Sequence, residues 1–175
     1  MKSLLSVFLV VSLFSGMTAC AQMSGEKSKR PSPPATASGM VGSVKVDINY
    51  SVPSVKGRKI YGDLEPYGSV WRAGANEATT ISFDKNVTIN GKPLAKGKYA
   101  FFILLNSEDK WTLIFNKNTT QWGTEHDSNA AQDVLKVPVT VRAIPSVEKL
   151  KYNVTADGVT LDWSTREVHF VVVGK

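Results

Sequence analysis

Four residues able to grip a ligand fall between positions 71 and 77 of one short stretch, "VWRAGANEATTISF" (Val70–Phe83). Arg72 offers a planar fork that can hold a carboxylate or a pair of sugar hydroxyls. Asn76 adds an amide, Glu77 a carboxylate, and Trp71 a ring on which the apolar face of a sugar can stack. Tyr61 and Tyr67 lie just upstream in a long connection, "YSVPSVKGRKIYGDLEPYG" (Tyr50–Gly68). Long connections on β-scaffolds often carry function, and with Trp71 the two tyrosines could form an aromatic platform. The same residue types serve architecture equally well. Trp71 can be a core plug, Arg72 can pair with an internal carboxylate, and Gly74-Ala75-Asn76 can be a corner where Gly and Asn take positive φ.

A second cluster is "QWGTEHD" (Gln121–Asp127), which sets His126 between Glu125 and Asp127 and places Trp122 as a candidate neighbour of the first stretch. A histidine beside carboxylates suits general-base chemistry, but a solvated loop histidine satisfies the same pattern. The other histidine, His169, reads as outward-facing on the last strand. Metal sites need three or more converging ligands. Adjacent residues on an extended segment cannot converge in that way, so no metal is expected. Gly57, Gly62 and Gly68 lack the spacing of a phosphate loop, and no cofactor is expected. There is no Gly-x-Ser-x-Gly elbow, no His-Glu-x-x-His and no cysteine pair. Glu65, Glu77, Glu125 and Asp127 could serve glycoside hydrolysis, but no spacing selects a pair and no catalytic residue is assigned.

The elements that must position these residues read as strands. Val44–Tyr50 alternates, with Val44, Val46, Ile48 and Tyr50 on one face. Thr79–Phe83, Asn86–Asn90, Lys98–Leu105, Trp111–Phe115, Val134–Ala143, Leu150–Ala156, Val159–Trp163 and Glu167–Val173 follow. Lys98–Leu105 is apolar enough to be buried on both faces. Asn90-Gly91 and Asp157-Gly158 are hairpin signals. Short helical pieces are expected around Leu64–Trp71 and Asn129–Val134. The spacing predicts an all-β fold, a single antiparallel β-sandwich of jelly-roll-like kind.

Three segments organise the chain. Met1-Lys2 followed by the apolar run Leu4–Phe14 and "GMTACAQ" has the order of an export signal. Met17-Thr18-Ala19-Cys20 resembles a bacterial lipobox. The resemblance implies cleavage before Cys20 and lipidation of its thiol, and several acyl chains make a stable membrane anchor. The alternative is ordinary signal cleavage after Ala21, releasing a periplasmic or secreted domain. Cys20 is the one cysteine, so the mature fold has no disulfide. Residues 20–37 read as a flexible Pro/Ser/Lys tether, with an ordered edge segment over Pro31–Thr36 as the alternative. Residues 38–175 form the remaining domain, of ordinary size. Of the whole-chain charge of +6, this body carries 17 Lys+Arg against 14 Asp+Glu. No basic cluster interleaves with aromatics, so nucleic acid is not an expected partner. Nothing in the sequence assigns an oligomeric state.

"YSVPSVKGRKIYGDLEPYGSVWRAGANEATTISF", "GKPLAKGKYAFFIL", "WTLIFNKNTTQWG" and "DVLKVPV" together resemble the bacterial domain-of-unknown-function family 2911, in order, over about residues 31–143. The resemblance implies an exported β-rich domain, often on a lipoprotein, and no established activity. "WGTEHDSN" is more acidic than similar loops. The expected function is a non-catalytic binding or interaction module at the cell envelope, for a glycan or small polar ligand. The candidate surface is Tyr61, Tyr67, Trp71, Arg72, Asn76, Glu77 and Trp122. The alternatives are a glycan hydrolase using paired carboxylates and a purely structural envelope component.

Overall fold

A computed structural model describes residues 26–175. The expected signal segment 1–19, Cys20 and residues 21–25 of the expected tether lie outside the described residues. Contacts separate a leading segment ending at Arg30 from a unit spanning Pro31–Lys175. In the leading segment residues 26–28 make a helical turn, and the Lys29 N–H donates to the Glu26 carbonyl at 3.2 Å.

The Pro31–Lys175 unit is built of antiparallel strands: β1 (Pro34–Val41), β2 (Val44–Ser51), β3 (Val70–Trp71), β4 (Thr79–Phe83), β5 (Val87–Ile89), β6 (Lys92–Leu94), β7 (Gly97–Leu104), β8 (Lys110–Asn116), β9 (Asp133–Thr140), β10 (Arg142–Val154) and β11 (Gly158–Gly174). One sheet has the order β1-β2-β4-β7-β8-β9, with β3 beside β7; the other has the order β10-β11-β5-β6. The two form an all-β sandwich. β7 shows why: Tyr99, Phe101 and Ile103 face the main core, where Phe101 and Phe170 of β11 lie 5.8 Å apart. Ala100 and Phe102 face the other way, into a smaller cluster with Ala78 and Ile114. The central strand is thus buried on both faces, as its unbroken apolar run requires.

Several expectations change, among them the strand expected over Val134–Ala143, which ends at Thr140, while Arg142 and Ala143 open β10 well ahead of the expected start at Leu150. β1 starts at Pro34, inside the stretch assigned to the tether, and pairs with β2 from Pro34↔Ser51 to Val41↔Val44. Pro34 is tolerated because β1 is an edge strand. No helix forms over Leu64–Trp71. Gly62 and Gly68 both sit at φ 82, Pro66 stands between them, and Val70–Trp71 pair with Leu104 and Ile103 of β7 instead. The second helical piece begins earlier than expected, as a helical turn at His126–Asn129 followed by a 3₁₀ turn at Ala130–Gln132.

Asn90 (φ 45) and Gly91 (φ 81) make the tight turn between β5 and β6, where both central residues must take positive φ. β11 turns back on itself at Ser164, which sits at φ 52. The Val172 N–H donates to the Asp157 carbonyl at 3.0 Å, and a Cβ on Gly158 would lie 2.0 Å from the Phe170 oxygen. The strands expected at Val159–Trp163 and Glu167–Val173 are therefore two arms of one hairpin, tipped by Ser164-Thr165. β10 wraps this tip. Arg142 and Ala143 pair with Glu167 and Arg166 on one arm, and Lys151–Val154 pair with Asp162–Val159 on the other.

Candidate functional site

The hairpin tip brings Trp163 to one end of the sandwich, where it meets Trp71 of β3 and Trp111 of β8. Trp71 and Trp163 stack with 5.5 Å between centroids and 20° between planes. Tyr61 sits among all three rings, at 4.8 Å from Trp111 and about 6 Å from the other two. Trp71 is 1% exposed and Tyr61 7%. Burial pushes the Tyr61 phenol well above its ordinary value, and its hydroxyl donates to the Trp163 carbonyl at 3.4 Å. Tyr61, Tyr67 and Trp71 therefore do not form one exposed platform. Tyr61 and Trp71 are core, and Tyr67 alone of the three is exposed, at 40%.

The corner Arg72–Glu77 is built as architecture. Ala73 holds positive φ at 50, an unfavourable geometry for a residue with a Cβ, and its carbonyl accepts from the Thr79 hydroxyl (3.0 Å) and the Tyr152 hydroxyl (2.7 Å). The Trp71 indole N–H donates to the Gly74 carbonyl at 3.3 Å. A Cβ on Gly74 would lie 2.7 Å from the Thr79 hydroxyl, so only glycine fits. Asn76, at φ 61, donates its amide to the Ser32 carbonyl at 2.9 Å and ties the corner to the chain ahead of β1. Glu77 bridges to Trp122 through the backbone, and the Gly123 N–H donates to the Asn76 carbonyl at 3.1 Å. Trp122 thus does lie beside the corner, with its ring 42% exposed. The Arg72 side chain packs on Gly123, where a Cβ would stand 2.2 Å from its Cδ.

His126 is not a solvated loop residue. Its Nε2 lies 3.1 Å from Asp133 Oδ1, with both side chains under 10% exposed, and its ring packs on Phe102 at 4.8 Å. Lys136 reaches the other Asp133 oxygen at 3.1 Å, and buried Asn116 donates to Asp133 Oδ1 at 2.8 Å. Glu125 points elsewhere and accepts from the Trp122 N–H at 2.9 Å. The cluster clasps the segment between β8 and β9 over the smaller core. Among the described residues no group of three or more His, Cys, Asp or Glu could hold a metal ion. His169 lies 3.5 Å from Asp157, part exposed on the outer face of β11 as expected.

A concave surface lies next to the aromatic cluster, between the long loop and the hairpin tip. It is an open groove of about 500 Å³ floored by Ile60 and Tyr61, with Arg58, Lys59, Tyr67, Glu108 and Arg166 around it. Three cations against one carboxylate make its lining positive. Arg58 is held by donation from Nε to the Val55 carbonyl (3.0 Å) and from Nη2 to the Ser54 carbonyl (2.5 Å). Arg166 pairs with the Glu108 carboxylate and donates from Nη1 to the Thr165 carbonyl at 3.1 Å. In the same loop the Glu65 carboxyl is pushed up to about 7 by burial, against the pull of Arg72 and Arg58. Arg58, Lys59 and Arg166 were not among the sequence candidates. Length alone marks the long loop in the sequence, but Arg166 reaches the groove only because β11 doubles back, and its position in sequence carries no sign of that.

The model of a family described as "Protein of unknown function (DUF2911)" matches residues 32–172, and the chain belongs to that family. The match reaches past the motifs that end near residue 143 and takes in β10 and most of β11. No curated protein and no solved structure matches the chain.

Proposed function

We propose that this DUF2911 protein is a non-catalytic binding module, exported and held at the cell envelope through lipidated Cys20, with the groove of Arg58, Lys59, Tyr67 and Arg166 as its ligand surface. The observation that carries the reading is the groove itself: a concave, cation-lined space of about 500 Å³ set on a rigid floor of buried aromatics. A preorganised wall keeps down the ordering cost of binding. This moves the ligand surface away from Trp71 and Asn76, whose polar groups bond within the fold, and from Arg72, whose stem packs on Gly123. The test is a panel of oligosaccharides and small polar metabolites titrated into the mature chain by NMR. Shifts confined to residues 58–67 and 164–166 support the reading; a panel that leaves those residues unmoved overturns it. Lipidation is tested separately, since Cys20→Ala should abolish incorporation of labelled fatty acid and move the protein from the membrane to the soluble fraction.

One observation favours a hydrolase as the second reading. Glu65, with its carboxyl pushed up to about 7, keeps a proton where a general acid needs one. Turnover of a glycan that is lost in Glu65→Gln, with unchanged binding, would favour this reading over the first.

A further inference from the structure

We infer that the groove takes an acidic saccharide, a sugar unit bearing a carboxylate or a sulfate; the inference rests on the binding reading above. Each part of such a ligand has a counterpart in the lining. The Arg58 guanidinium is anchored to backbone carbonyls through Nε and Nη2, and that of Arg166 through Nε and Nη1, so two positive charges are fixed at the groove before any ligand arrives. Lys59, exposed on the loop, adds a third cation on a flexible stem. The one carboxylate in the lining, Glu108, is 72% exposed and already paired with Arg166. Its carboxylate sits on Arg166 where a ligand acid group would compete, and because the Glu108 end of the pair is open to solvent it is a weak competitor.

The rest of the lining does not suit a bare anion. Tyr67 presents a ring 40% exposed, backed by Gly62, where a Cβ would stand 2.8 Å from the ring. A held ring of this kind stacks on the C–H face of a sugar. Ser146, Ser164 and Thr165 bring hydroxyls that can exchange hydrogen bonds with sugar hydroxyls. A small inorganic anion would leave the ring and hydroxyls unused. A neutral sugar would leave the net positive charge of the lining, three cations against one carboxylate, unbalanced.

The test is calorimetry on the mature chain with four probes: a uronic-acid oligosaccharide, a sulfated disaccharide, a neutral oligosaccharide of the same length, and inorganic phosphate. Binding of either acidic saccharide at least tenfold tighter than the neutral one and phosphate is expected, and which of the two binds identifies the acid group. Affinity should fall about fivefold or more in Lys59→Gln and in Tyr67→Ala, with melting temperature unchanged, and should rise in Glu108→Gln. Equal binding of neutral and acidic saccharides at the groove overturns the inference and leaves the binding reading standing. So does phosphate binding as tightly as the saccharides. Silence of the groove toward these probes and toward the wider panel overturns both.

Discussion

Trp71 spends its ring on Trp163 and its indole N–H on the Gly74 carbonyl, leaving nothing for a ligand. Trp71→Ala should therefore cost about 3–5 kcal/mol in urea unfolding, the range for truncating a buried aromatic. Trp122, with its ring in solvent, gives the contrast: Trp122→Ala should stay within about 0.5 kcal/mol of the parent. Equal losses in the two variants would mean that Trp71 is not a core residue. Gly123 is the second residue on which the corner depends. Its missing Cβ leaves room for Arg72 Cδ and the Asn76 carbonyl, which a methyl group would meet at 2.2 and 2.6 Å. Gly123→Ala should cost about 1–3 kcal/mol through overpacking, read as a lower melting temperature. An unchanged melting temperature would show that the segment carrying Gly123 is free to shift away from Arg72.

The segment between β8 and β9 forms a lid of one helical turn and a 3₁₀ turn over Phe102, Ile114, Ala78 and Ala100, fastened by His126, Asn116 and Asp133. Asp133→Asn removes the charge from this buried network and should cost about 1–3 kcal/mol. Hydrogen exchange should localise the damage: amides of residues 117–132 lose protection while β4 and β7 keep theirs. Uniform loss of protection would mean the lid is not a separate unit. The strands flanking this lid, β8 and β9, were legible in the sequence because alternation is local, and away from the lid Thr79–Phe83 runs between the limits expected. The lid itself was not. His126 looked solvated because its partner is seven residues on, and nothing in "QWGTEHD" signals a carboxylate arriving from the start of β9. The same limit hid the groove. Periodicity found both arms of the β11 hairpin, but a turn carried by a positive-φ serine rather than a glycine has no sequence signature. Short or atypical strands also escaped: β3 has two residues, β6 contains Pro93, and six of the eight residues of β1 are Pro, Ala, Thr, Ser or Gly.

Over the whole molecule, these local environments sum into one pH profile of stability. Asp47, hydrogen-bonded to Ser38 and Lys45, is held below its ordinary value. The stability it contributes is present above about pH 4 and is lost as pH falls further. Glu65 acts in the opposite direction. Its ordinary value of 4.5 is raised to about 7 in the folded chain, so between those limits the folded state holds a proton that the unfolded state has released. Stability then falls as pH rises, since the slope follows protons bound unfolded minus protons bound folded. The contribution is full below pH 4.5 and gone above about 7. The whole shift would correspond to about 3 kcal/mol, and solvent at the loop reduces this to about 1–2 kcal/mol. Glu65→Gln cannot ionise, so it should match the parent near pH 4.5 and exceed it by that amount at pH 8. Melting curves of the two proteins across this range provide the measurement, and the quantity to read is their difference, which cancels every other titrating group. Arg72→Ala extends the argument: Arg72 favours the Glu65 anion, so its removal should move the Glu65 titration, followed by NMR, above 7. Parallel curves for parent and Glu65→Gln would mean that Glu65 is hydrated in the folded chain, and the loop it sits on would then be open to water at pH 8.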